Sequence, residues 1–264
     1  MHDIHIHTKL SRCADPNATY QAYSAVIEER KLAIVGFSDH IWDHAIPGWI
    51  NWYAPMDVTH VMSLRDEIVR NPLKNTQVYF GCETEYVGKG KVGLHSDNSK
   101  LFDYVLVPPH HFHIPEVRDP QITEIDKLVN LFIERFMEVC DIKFAFGIAH
   151  PFVPLGLAGR EAEVLSALPE KSLRECFTAA RESNKSIEIN VSCVKSMYTA
   201  GVLEFYKNII CIAADCSCKF HLGSDAHSMA DMAQGNYDLA VDFVRQCAIT
   251  LPEDPLKEYV SNNL

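Results

Sequence analysis

At 264 residues the chain has room for one large α/β domain or two small ones. With 35 acidic and 24 basic residues its formal charge is −11, which disfavours a nucleic-acid surface, since that would need a basic stripe. The nine cysteines are odd in number and follow no framework spacing, which argues against a disulfide scaffold. No apolar run is long enough to span a membrane, and the His-rich first residues have no signal-peptide character, so a cytoplasmic location is expected.

In chain order, the run His2-Asp3-Ile4-His5-Ile6-His7 predicts a strand over 3–7, whose period of two puts His5 and His7 on one face. Further runs rich in β-branched and aromatic residues predict strands over 33–38, 77–82, 103–107, 144–149, 186–190 and 219–223. Helix-compatible stretches lie between them at 17–30, 57–70, 122–140, 161–184, 198–215 and 228–247. Asn17 or Thr19 is placed to start the first, and Asp57 or Thr59 the second. The stretch 83–103 is too short and too rich in Gly, Lys and Ser for a helix. Alternating strands and helices predict parallel βαβ units. Nearly every strand ends in His, Asp or Glu, and only a closed barrel brings all its strand ends to one face. The expected fold is therefore a distorted (β/α)7, TIM-like barrel, forming a single domain over 1–264 with its site at the C-terminal mouth.

Six of the 13 histidines fall at or just past strand ends: His5, His7, His40, His110, His150 and His227. Asp15, Glu83 and Asp225 join them. Burying so many ionisable groups together is unfavourable unless cations compensate. Nine N/O donors exceed the needs of one ion, so two or three divalent transition metals are expected. Glu85 shares strand parity with Glu83, but Glu83 directly follows Gly81-x at the strand end and is preferred. His111 and His113 read as loop residues that follow a ligand, and His221 as a residue within a strand.

Asp3-x-His5-x-His7-Thr8, Gly36-Phe37-Ser38-Asp39-His40, Gly81-Cys82-Glu83, a His seven residues after Asp103, and Ser224-Asp225-Ala226-His227 form an ordered set. Together they resemble the polymerase-and-histidinol-phosphatase superfamily, from Asp3 to His227. The resemblance implies a distorted (β/α)7 barrel with up to three Zn, Fe or Mn ions at its mouth and phosphoester hydrolysis as its activity. It places His5, His7 and Asp225 on a first ion. Glu83 bridges to a second, which His110 and His150 also hold. A third takes His40, His227 and a residue of the loop after the first strand. For that residue Asp15, eight after His7, is expected, and Cys13, six after it, is the alternative.

The expected function is a metal-dependent phosphoesterase of small molecules, with histidinol phosphate as the best single substrate and a metal-bridging hydroxide as nucleophile. Glu83, Asp225 and His227 are its candidate catalytic residues, the last two as orienters of water or donors to the leaving group. Arg118, Arg160 and Lys195, in loops past strand ends, are candidate phosphate ligands. All three tryptophans lie in the segment 41–53 after His40, a candidate pocket wall. Two other readings stand beside this one: amidohydrolase-like cleavage of a C–O or C–N bond by the same centre, and a non-catalytic metal-binding domain. Completeness of the donor set argues against the second.

Overall fold

The computed structural model describes residues 1–88, 90–114 and 122–263. Its main sheet runs β1 (His2–Ile6), β2 (Ile34–Phe37), β4 (Gln77–Thr84), β7 (Tyr104–Val107), β8 (Gly147–Ile148), β9 (Ser186–Asn190), β10 (Lys219–Gly223), every neighbouring pair parallel. The short β3 (His40–Ile41) pairs with the end of β4. A parallel bridge between Ile6 and Ala226 brings the last strand back to the first, and His7 N donates to Ala226 O at 2.9 Å. The result is a nearly closed seven-stranded barrel with flanking helices, as the strand–helix alternation predicts.

The interior is packed with side chains, as in other small parallel barrels. Tyr104 of β7 crosses it and donates to Ile4 O at 2.7 Å. Gly36 on β2 and Gly81 on β4 make room for that ring, since a Cβ at either position would collide with it. His221 of β10 also points inward, its Nδ1 2.8 Å from Ser186 Oγ, away from the mouth.

The helices follow their local signals. Thr19 caps α1 (Tyr20–Arg30) by accepting from Ala22 N at 3.1 Å. In α4 (Ile125–Cys140) the buried Leu128, Val129, Phe132, Phe136 and Val139 recur at helical spacing and face the barrel. Three expectations need revision. The helix expected over 161–184 is two, α5 (Glu161–Ala167) and α6 (Glu170–Glu182), because Pro169 cannot continue the first. The stretch expected over 198–215 is divided between α7 (Val191–Thr199) and α8 (Leu203–Asp215) by Gly201 at φ 72°. In place of 144–149, β8 keeps only two residues. The stretch 83–103 contains a hairpin of β5 (Tyr86–Gly88) and β6 (Lys91–Val92), then a single turn of helix, α3 (Ser96–Ser99). Among the described residues no helix is long and apolar enough to cross a membrane.

Two residues at strand ends adopt left-handed backbone: His150 at φ 29° and Asp225 at φ 55°. Such conformations cost about 1–3 kcal/mol each and need support from their surroundings. Asp225 N donates to His5 O at 2.7 Å, and His150 N donates to Glu188 Oε2 at 2.6 Å. Both residues face the mouth of the barrel.

Candidate metal centre

The alternation of β1 brings His5 and His7 together, with their Nε2 atoms 3.0 Å apart. Across from them, at the end of β4, stands the buried carboxylate of Glu83. Its Oε2 lies 3.5 Å from His5 Nε2, 3.5 Å from His7 Nε2 and 3.0 Å from His40 Nδ1. Its Oε1 lies 3.1 Å from His150 Nε2 and 3.7 Å from His111 Nε2. Asp225 Oδ1 is 3.1 Å from His7 Nε2, and 3.6 Å from both His5 Nε2 and His227 Nδ1. Among the described residues the donors form three adjoining groups: His5, His7 and Asp225; Glu83, His111 and His150; His7, His40 and His227.

The nitrogens that face away from the centre are held by a further layer of groups. His5 Nδ1 meets Glu188 Oε1 at 2.5 Å. Asn190, at the N-cap of α7, donates through Nδ2 to Glu188 Oε2 at 3.1 Å and to Asp225 Oδ2 at 3.3 Å. His111 Nδ1 meets Glu85 Oε2 at 2.8 Å, and Tyr53 donates its hydroxyl to the same oxygen at 2.7 Å. His7 Nδ1 lies 3.2 Å from Ser11 Oγ, which donates to Asp39 Oδ1 at 2.6 Å. Carboxylates behind imidazoles in this way fix the tautomer and raise the basicity of the inward nitrogen. Gly223 makes the Glu188 contact possible, because a Cβ there would collide with Glu188 and with His5.

Electrostatics and hydrogen bonding both favour cations at this centre. Burial would raise the carboxyls of Glu83 and Asp225, but the surrounding imidazoles, His5 first, outweigh it and hold both well below the usual carboxylate range. Burial would likewise lower His5, yet Glu188, Glu83 and Asp225 hold it well above the usual imidazole range. His7 is pushed well below that range by burial and by His227 and His40. At the centre of the cluster Glu83 Oε2 and His40 Nδ1 are buried without a hydrogen bond of good geometry. Buried polar atoms of this kind are rare unless something else satisfies them. Divalent ions between the donors would do so, and the mixed N/O set suits zinc, iron or manganese.

Two expected donors are not brought to the cluster. His110 lies outside the cluster: its Nε2 meets Phe132 O at 2.8 Å, its Nδ1 accepts from Phe152 N at 3.1 Å, and its ring stacks on Phe132 at 4.2 Å. Both nitrogens are engaged with backbone, so His110 ties α4 to the loop after β8. His111 takes the position facing Glu83. Pro108 and Pro109 break the strand pattern after Val107, so spacing from Asp103 could not tell the two histidines apart. Asp15 also turns away: it is exposed, and its Oδ1 accepts from Asn17 N at 2.7 Å in the turn before α1. Cys13, exposed in the same loop, is the residue on which His40 and His227 act electrostatically: against burial they draw its thiol down to about 6. Glu85 supports His111 rather than competing with Glu83 for the centre.

The expected phosphate ligands are not gathered at the donors. Arg160 caps α5 and grips Glu163 through Nε at 2.7 Å and Nη2 at 3.1 Å. Lys195 stands on the exposed side of α7. No hydrogen bond or ion pair among the described residues joins either to the cluster, and Arg118 lies outside the described residues. The tryptophan segment is divided between core and surface. Trp42 is buried with Tyr53, Met56 and Ile114, whereas Trp52 meets the His40 ring edge-on at 5.2 Å. Trp49 is 40% exposed and stacks on His44 at 4.6 Å.

Loading this centre should release protons. Burial works against a charged His227, but its neighbours Cys13 and Asp225 bring it up to about 9. At pH 7 the metal-free ring is therefore protonated and must lose its proton to bind an ion. Zinc affinity should then rise with pH up to about 9 and fall as pH drops. Calorimetric titration in buffers of different ionisation heat measures this release, and no net proton release at pH 7 would contradict it.

No family model matches this chain, and no curated protein matches it either. Solved structures do. The chain is similar to histidinol phosphate phosphatase from Lactococcus lactis subsp. lactis Il1403, a structure that holds zinc, L-histidinol and phosphate. The TM-score is 0.71 at 15% identity over 95% of this chain and 94% of that one. A candidate histidinol phosphatase from Listeria monocytogenes aligns with a TM-score of 0.62 at 13% identity, over 90% of this chain and 99% of that one. Ochratoxinase from A. niger gives 0.51 at 8% identity, over 97% of this chain and 68% of its own. The barrel is thus the fold of the histidinol phosphate phosphatase structures.

Proposed function

We propose that this chain is a metal-dependent phosphoesterase of small molecules, of the polymerase-and-histidinol-phosphatase type, with histidinol phosphate as its best single substrate. The observation that carries the reading is the place of Glu83. One buried carboxylate presents Oε2 to His5, His7 and His40 and Oε1 to His150 and His111, the arrangement required of a group that bridges two ions. Two or three divalent ions (Zn, Mn or Fe), when bound, would activate water at neutral pH and neutralise the charge of a phosphate ester.

The chain's own residues hold and aim that chemistry. His5, His7 and Asp225 form one holding group, and Glu83, His111 and His150 the next. Glu188 and Glu85 hold the rings of His5 and His111 by their Nδ1 atoms, so that the Nε2 of each is turned inward. Asp225 is only partly exposed, and its second oxygen is held by Asn190, so it is placed to orient a water. His227, also at the edge of the cluster, is the group best placed to pass a proton to a leaving alkoxide. Trp52 and Trp49 would wall the organic part of the substrate. The complex of the L. lactis structure with L-histidinol and phosphate supports the choice of substrate. We take residues 1–264 as one domain, acting in the cytoplasm on a small phosphate ester without a nucleic-acid or membrane partner.

The test is hydrolysis by protein reconstituted separately with zinc, manganese and iron. Phosphate release from p-nitrophenyl phosphate and from histidinol phosphate should appear and should vanish on chelation. Turnover of an amide or lactone panel without any phosphate release would overturn the proposal.

A further inference from the structure

We infer that Glu188 is a positioning residue for two ion positions at once, one oxygen of its carboxylate fixing a donor of each. The inference rests on the metal-dependent reading above and deepens it, since both positions then depend on one group that stands behind the donors. Glu188 is fully buried on β9, where the period of two turns it to the same side as Asn190. In the sheet β9 lies between β8, which leads to His150, and β10, which leads to Asp225. Glu188 Oε1 meets Nδ1 of His5, from the group of His5, His7 and Asp225, at 2.5 Å. Its Oε2 accepts from the backbone N–H of His150, from the group of Glu83, His111 and His150, at 2.6 Å. His150 stands there at φ 29°, a backbone conformation that persists only with such support. Asn190 Nδ2 donates to the same Oε2 at 3.1 Å and to Asp225 Oδ2 at 3.3 Å, which extends the bracket to a third donor.

Only a carboxylate of this length meets all of these demands. The N–H of His150 and the amide nitrogen of Asn190 can only donate. His5 Nδ1 must donate as well, if Nε2 is to turn a lone pair toward the cluster, where it lies 3.5 Å from Glu83 Oε2 and 3.6 Å from Asp225 Oδ1. Two unprotonated oxygens satisfy three donors. Glutamine has the same shape but one oxygen and one NH2 group. With its oxygen on His150 and Asn190, the NH2 group faces His5 Nδ1 and drives the ring proton onto Nε2, which spoils the first position. With its oxygen on His5, the NH2 group faces two donors and His150 loses its support, which spoils the second. An amide therefore cannot serve both positions.

Zinc titration of metal-depleted wild type, Glu188→Gln and Glu188→Asp tests the assignment, with bound ions counted. Circular dichroism and denaturant melts establish that each metal-free protein is folded at the titration temperature. Glu188→Asp keeps the charge and both acceptors but is one methylene too short to reach His5 and His150 together. In both variants at least one zinc ion should bind at least about tenfold more weakly than in wild type. Unchanged zinc affinity and stoichiometry in folded Glu188→Gln would overturn the assignment, whatever its melting behaviour. So would wild-type zinc affinity in Glu188→Asp, because charge alone would then suffice. If Glu188→Gln does not fold, Glu188→Asp decides by itself. The phosphoesterase reading fails separately: zinc-loaded wild type that releases no phosphate from either p-nitrophenyl phosphate or histidinol phosphate would overturn that reading, and weakened zinc binding in the variants would still uphold the role of Glu188.

Discussion

Glu83→Gln should abolish hydrolysis and remove at least one bound ion per chain. The amide keeps the shape of the side chain but offers a single weaker acceptor, where the carboxylate presents one oxygen to His5, His7 and His40 and the other to His150 and His111. Two adjoining donor groups therefore lose their shared anion together. The expected fall in kcat/KM is on the order of 10²–10³ or more, at least the cost of losing one charge-stabilising contact. Metal analysis and steady-state kinetics on the same preparation check it. Near-normal turnover with full metal content would show that Glu83 is not shared between ions.

The paired histidines of the loop after β7 should separate metal binding from stability. His111→Ala should lose the ion shared with Glu83 and His150, and with it the activity, while the metal-free fold persists. His110→Ala should keep its ions and lose about 2–4 kcal/mol of stability, since it deletes a buried ring and leaves Phe132 O and Phe152 N without their partner. Denaturant melts and ion counts on the two variants decide between them. If His110→Ala loses the ion and His111→Ala keeps it, the exchange of roles between these neighbours is wrong.

How much of this was legible beforehand depended on the physics behind each feature. Period-two strands and turn residues are local properties, so seven strands and the order of the helices could be read in advance. Of the nine expected donors, His5, His7, His40, Glu83, His150, Asp225 and His227 lie at or beside strand ends, and the structure gathers all of them. His110 and Asp15 sit in loops, where no periodicity sets direction. The signal for His111 was the pair of prolines before the two histidines, and it does not say where a side chain points.

Glu188 and Gly223 belong to a different case. Glu188 was visible within the strand 186–190, but nothing along the chain joins it to His5, 183 residues away. Nor does anything show that Gly223 makes room for that carboxylate. Alternation and composition are short-range, so they set the barrel, the face of each strand that carries donors, and the chemical type of those donors. The closed fold sets which of two adjacent histidines faces Glu83 and which carboxylates stand behind the imidazoles. Those choices arise when distant strand ends converge, and the contacts that decide them exist only in the closed barrel.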